Sequence, residues 1–127
     1  MPKKILVVED DDINRKLFVS LLEGDGYEVS EAAEGQAAIR LITLEAFSLV
    51  LMDIGLPTMS GAEVLRTCKE KGLLRGTKVY ALTASAGTAR ESGFDGIITK
   101  PIRVREFLRT VGEILRVREE EREEREN

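Results

Sequence analysis

The first apolar run of this chain ends in Glu9-Asp10, with Asp11 and Asp12 directly behind, and the third ends in Asp53. The fourth run ends in Thr83 and the fifth in Lys100-Pro101. If these runs are neighbouring strands of one sheet, their ends lie about 4.8 Å apart per step and the carboxylates converge. Converging carboxylates repel each other unless positive charge lies between them. Oxygen donors with open water positions suit Mg2+, which takes one or two protein carboxylates together with water and phosphate oxygens. Asp10 and Asp53 are the expected direct ligands. A phosphoryl group added to Asp53 would bring roughly two more negative charges, for which Lys100 offers an ammonium and Thr83 a hydroxyl. In-line transfer of phosphate to a carboxylate needs positioning and charge stabilisation but no general base.

Composition removes most other chemistries. With no histidine, no tryptophan and the single cysteine Cys68, the chain cannot assemble a zinc site, a Ser-His-Asp triad or a Cys-His pair. Its 19 Lys and Arg against 23 Asp and Glu leave a net charge of −4, so direct nucleic-acid or anionic-membrane binding is not expected. A lone cysteine, the absence of a long apolar run and the absence of a cleavable leader point to the reducing cytoplasm. Each site residue also has a plainer reading taken alone. Asp11 and Asp12 would suit a helix N-terminus, Asp53 a turn beside Gly55 and Pro57, Thr83 a strand, and Lys100-Pro101 a strand end. Their joint placement at four strand ends carries the functional reading.

The elements that must position these residues are legible as apolar runs alternating with helix-period stretches. Strands are expected at residues 4–9, 27–31, 48–52, 78–83 and 96–99. Ile5-Leu6-Val7-Val8 and Leu49-Val50-Leu51-Met52 are apolar at every position, as central strands covered on both faces require. Between the strands, Ile13, Leu17, Leu21 and Leu22 have helical spacing, as do Ala38, Ile39 and Ile42, and Val64, Leu65 and Cys68. Val104, Phe107, Leu108, Val111, Ile114 and Leu115 mark the closing helix. Right-handed crossovers then give an α/β, doubly wound, five-stranded parallel sheet of order 2-1-3-4-5. Residues 1–117 make one domain. Residues 118–127 contain no apolar side chain, so they extend the last helix or fray as a charged tail.

From residue 3 to about 117 the sequence resembles the receiver domain of bacterial response regulators. Lys3-Lys4-Ile5-Leu6-Val7-Val8-Glu9-Asp10 is similar to the first strand and acid pair of that family, and Leu51-Met52-Asp53-Ile54-Gly55-Leu56-Pro57 through Ser60-Gly61 to its phosphoacceptor strand and loop. Ala81-Leu82-Thr83-Ala84 and Thr99-Lys100-Pro101 resemble its remaining signatures. The run from Glu9 to Leu17 is closest to stand-alone receivers of the cell-division-control type and to receivers of hybrid kinases. The resemblance implies a flavodoxin-like fold and phosphorylation of Asp53 by a sensor histidine kinase or histidine phosphotransfer protein, with a downstream protein as target. It further implies that Asp10 and the Gly55 carbonyl help hold Mg2+ while Glu9 assists through water. Lys100, preceding a cis proline bond, would contact the phosphoryl group, and Thr83 would carry the switch. Such a protein catalyses only its own phosphorylation and dephosphorylation.

Two departures from the family stand out. Ile97 occupies the position of the usual inward-swinging aromatic residue, and the stretch from Thr83 to Lys100 is short, which predicts a shortened fourth helix. Residues 84–93 are expected to hold one short turn or a mobile loop, because a parallel crossover needs about 10 to 12 residues including its helix. A nucleotide-binding reading fails, since Glu9-Asp10-Asp11-Asp12 stands where a phosphate-cradling glycine loop would be needed. The rival that survives is an interaction module that keeps the fold and signals without phosphorylation.

Overall fold

Runs that are apolar at every position are stable only where both faces are covered, and that is how they are used here. In the computed structural model, which describes residues 2–84, 87 and 92–126, Ile5 through Val8 and Leu49 through Leu51 are fully buried. The strands are β1 (Lys4–Val8), β2 (Glu28–Ala32), β3 (Leu49–Asp53), β4 (Lys78–Thr83) and β5 (Gly96–Thr99). The last two have the limits expected from sequence, β1 stops one residue earlier, and β2 and β3 are each shifted by one residue toward the C-terminus at both ends. All four pairings are parallel and the order is β2-β1-β3-β4-β5, the doubly wound flavodoxin-like arrangement.

Among the described residues there are four helices: α1 (Asp12–Gly24), α2 (Gly35–Leu44), α3 (Gly61–Glu70) and α4 (Val104–Glu126). The expectation of a short turn or loop across 84–93 falls largely outside the described residues. Strand alternation sorts the core into two layers. Leu6, Val8, Val50, Met52 and Val79 pack with α2 and α3 on one face. Ile5, Val7, Leu49, Leu51, Leu82 and Ile98 pack with α1 and α4 on the other.

The buried stripe of α1 differs from the expected one. Arg15, Phe18 and Leu22 face inward, whereas Ile13 and Leu17 are 81% and 44% exposed. Phe18 meets the Phe107 ring of α4 at 5.6 Å between centroids, and the larger aromatic surface takes the interior position. Val104, expected among the buried residues of the closing helix, is 47% exposed because it is the first residue of α4, ahead of the buried Phe107, Val111, Ile114 and Leu115.

The polar run that follows stays helical through Glu126. Glu119 pairs with Lys3 at 2.9 Å and Glu121 with Lys78 at 3.1 Å, while Arg118 donates to the Gly76 carbonyl at 3.0 Å. These half-exposed pairs contribute at most about 1 kcal/mol each. No helix of the described residues is long and apolar enough to cross a membrane.

Candidate functional site

Parallel strands deliver their carboxyl ends to one edge of the sheet, where the crossover reverses around β1 and β3. Asp53 is the last residue of β3, and Glu9 and Asp10 leave β1 immediately after Val8. The carboxylates of Glu9, Asp10 and Asp53 each place an oxygen within 4.8 Å of the others. Glu9 is only 1% exposed, so its charge cannot be dispersed by water. Lys100, one residue beyond β5, answers it. Its ammonium donates to Glu9 Oε1 at 2.6 Å and lies 3.6 Å from Asp53 Oδ2.

The main chain at Lys100 is held by the sheet. The Lys100 N–H donates to the Thr83 carbonyl at 2.9 Å, continuing the β4–β5 ladder past Thr83 and Thr99, and the Lys100-Pro101 peptide bond is cis. Thr83 itself is buried at the end of β4. Gly55 donates its N–H to Asp53 Oδ1 at 3.1 Å, whereas the family resemblance assigns a role to its carbonyl. The loop from Ile54 to Ser60 is closed by the Gly61 N–H, which donates to the Ile54 carbonyl at 3.0 Å, and anchored by Leu56, which is buried in the α2–α3 layer. Ser60 caps α3 by accepting from the Glu63 N–H at 3.2 Å. Ile97 lies in register with Ala81 on β4.

Burial and packing split the two carboxylates electrostatically. Glu9 is pushed up to about 7 by burial first and by its hydrogen bond with Asp53 second, with Lys100 pulling the other way. For Asp53 burial also acts upward, but hydrogen bonds with Glu9, the Gly55 N–H and the nearby Lys100 outweigh it and hold the group below the usual carboxylate range. Lys100 is desolvated, yet its two acidic neighbours raise it above the ordinary ammonium value. At neutral pH, Asp53 is therefore ionised, with a cation beside it. The donor set is all carboxylate oxygen at a partly open edge, which fits a hard divalent cation of the Mg2+ type.

The structure thus brings together Glu9, Asp10, Asp53 and Lys100, with Thr83 and Gly55 on the elements that flank them. Sequence reasoning missed Arg15. This residue of α1 is 9% exposed and reaches from the helix to the Glu9 carbonyl. A signal was available, because a cation in the first turns of a helix opposes the helix dipole and needs another reason to be there.

The family model for the response regulator receiver domain matches residues 5–112. The polar-differentiation response regulator DivK of Brucella anthropi is 40% identical over 116 residues, spanning 87% of this chain and 94% of that protein. A CheY-like receiver domain protein from Methanospirillum hungatei superposes with a TM-score of 0.85 at 34% identity, covering 95% of this chain and 99% of that one. The receiver domain of a sensor histidine kinase from Pseudomonas aeruginosa, whose structure has a magnesium ion coordinated in the active-site cleft, gives a TM-score of 0.83 at 28% identity over 91% of this chain and 98% of its own.

Proposed function

The chain belongs to the response regulator receiver domain family, and from that premise we propose that it is a cytoplasmic phosphoacceptor of two-component signalling that takes a phosphoryl group on Asp53 from a histidine phosphodonor. The observation that carries this reading is the triad Glu9, Asp10 and Asp53 with its carboxylate oxygens within 4.8 Å and the Lys100 ammonium 2.6 Å from one acid and 3.6 Å from another. Incubation with acetyl phosphate and Mg2+ followed by intact mass tests it: one added phosphoryl group is expected. A mass that never changes favours the rival interaction module.

In this reading an Asp53 oxygen attacks phosphorus in line, the bond from phosphorus to the donor's nitrogen or acyl oxygen breaks, and the leaving group departs with the electron pair. Asp10 and Asp53, with the Gly55 carbonyl and with Glu9 through water, would hold Mg2+. When bound, the metal supplies positive charge against the phosphoryl oxygens. Lys100 contributes a second cation at the same edge, and the Thr83 hydroxyl is the group that answers the phosphorylated state. The protein acts on no substrate but its own aspartate, and its output is contact with a downstream protein.

Metal and proton compete for Glu9. Its raised folded value means that, without metal, its contribution to stability is fully present below about 4.5 and is lost as pH rises through about 7. Mg2+ binds the deprotonated cluster and stabilises the folded state by mass action. The Mg2+-induced rise in Tm should therefore be small at about pH 5.5 and several-fold larger at about pH 8. Asp10→Asn should remove the rise at both. A rise independent of pH, or unchanged in Asp10→Asn, contradicts the assignment.

In this reading the phosphodonor docks on α1, which begins two residues after Asp10. Ile13 and Leu17 form an exposed apolar pair one turn apart on that helix. Apolar anchors at the centre of an interface commonly cost about 2 kcal/mol or more when lost. Ile13→Asp should slow transfer from a histidine kinase that phosphorylates the wild type by tenfold or more, while leaving phosphorylation by acetyl phosphate within twofold. Equal loss with both donors would place Ile13 in the fold rather than in docking.

A further inference from the structure

A buried guanidinium must have its donors satisfied, and the three acceptors that satisfy Arg15 lie in three different segments. Its Nε donates to Glu31 Oε1 on β2 at 2.8 Å, its Nη2 to Asp12 Oδ1 on α1 at 2.5 Å, and its Nη1 to the main-chain carbonyl of Glu9 at 3.0 Å. The third contact bears on the site. The Glu9 N–H still belongs to the sheet, donating to the Ala32 carbonyl at 3.0 Å, but β2 ends there and its ladder offers the next carbonyl no partner. Arg15 takes that place.

The Glu9 carbonyl and the Asp10 nitrogen share one rigid peptide plane. Holding the carbonyl at its oxygen fixes the orientation of that plane, and with it the direction in which the Asp10 side chain leaves the backbone. Glu31 and Asp12 hold the guanidinium on its other sides, so the clamp is itself anchored on β2 and on the first turn of α1. We infer that Arg15 is a positioning residue for Asp10, aligning this carboxylate with Asp53 for the metal. The inference rests on the reading of the acid cluster as a Mg2+ site.

Groups that orient a metal ligand from behind typically change metal affinity by about 10- to 100-fold when removed. The test is a titration with Mg2+ alone, read as the concentration giving half the maximal shift in Tm, for wild type, Arg15→Met, Arg15→Lys and Glu31→Gln. Arg15→Met should raise that concentration about tenfold, and Arg15→Lys, which can reach only one acceptor well, should fall between it and the wild type. Phosphorylation by acetyl phosphate in Arg15→Met should be restored toward the wild-type rate at saturating Mg2+, since the nucleophile is untouched. A lower metal-free Tm with an unchanged Mg2+ midpoint would make Arg15 a structural residue only and overturn the inference. Should Arg15→Met fail to fold, Glu31→Gln decides, because it keeps the guanidinium but removes one charged anchor. Its midpoint should rise at least twofold, and an unchanged value overturns the inference. A wild type that answers neither Mg2+ nor acetyl phosphate sinks the phosphoacceptor reading and this inference together, whereas a wild type and Arg15→Met that answer alike sink this inference alone.

Discussion

Asp53→Asn is expected to take phosphorylation by acetyl phosphate below detection while leaving the fold intact. The amide is the same size as the carboxylate, and its oxygen can keep accepting the Gly55 N–H that now reaches Asp53 Oδ1 at 3.1 Å. What disappears is the charge. Asp53 is held ionised by Glu9, the Gly55 N–H and Lys100, and in the proposed transfer that ionised oxygen is the nucleophile, a part an amide oxygen cannot take. The same depressed value means that Asp53 contributes stability that is present above about 3.8 and lost as the pH falls through its folded value. Above that range the variant gives up this contribution but also removes the charge that pushes Glu9 up, and Lys100 keeps its 2.6 Å contact with Glu9. The Tm at neutral pH without metal should therefore change little. Intact mass after treatment with acetyl phosphate and Mg2+ reads the result directly: a phosphoryl group found on the variant would assign the chemistry to another residue.

The parts of this molecule that could be read from sequence are those where one physical demand dominates. Val7 or Leu51 has no choice but the sheet interior, and the residues that follow such runs necessarily stand at the sheet edge, so Glu9, Asp10, Asp53 and Lys100 could be named together. Helix α1 was harder, because two stripes overlap on it at helical spacing. Ile13 and Leu17 compete with Phe18 for the interior, and periodicity alone does not rank them. The ranking comes from contacts far away in sequence: Phe18 with Phe107, and Arg15 with Glu9 and Glu31. The tail follows the same logic. Its internal i, i+4 charges are visible in sequence, but Lys3 and Lys78, which meet Glu119 and Glu121, are brought there only by the assembled sheet. Lys100 was expected to serve a phosphoryl group, yet its shortest contact is with Glu9, whose near-complete burial sequence alone does not reveal.

Gly61→Ala should cost both stability and phosphorylation, because at this position fold and site share one contact. Gly61 opens α3 and closes the loop that follows the phosphoacceptor, its N–H donating to the Ile54 carbonyl at 3.0 Å. A Cβ placed there would lie 2.5 Å from the Asp53 carbonyl oxygen, 3.0 Å from the Ile54 Cα and 3.0 Å from the Met52 Cγ. Two of these three neighbours are backbone atoms at the end of β3, which is buried and paired on both sides, so they cannot swing away as a flexible side chain could. The strain must be relieved by moving α3 outward or by displacing Asp53, and overpacking of this kind costs about 1 to 3 kcal/mol. Displacement by even a few tenths of an ångström alters the separation of Asp53 from Lys100 and from the other acids. Gly24→Ala is the matched control, since nothing lies within 4 Å of a Cβ there and its φ is not positive. It should be neutral or stabilising by up to about 1 kcal/mol. Urea unfolding and the rate of phosphorylation by acetyl phosphate, measured on both variants, separate the outcomes. Loss of both in Gly61→Ala alone is expected, and a Gly61→Ala protein as stable and as reactive as the wild type would show that the end of β3 yields more easily than its burial and pairing imply.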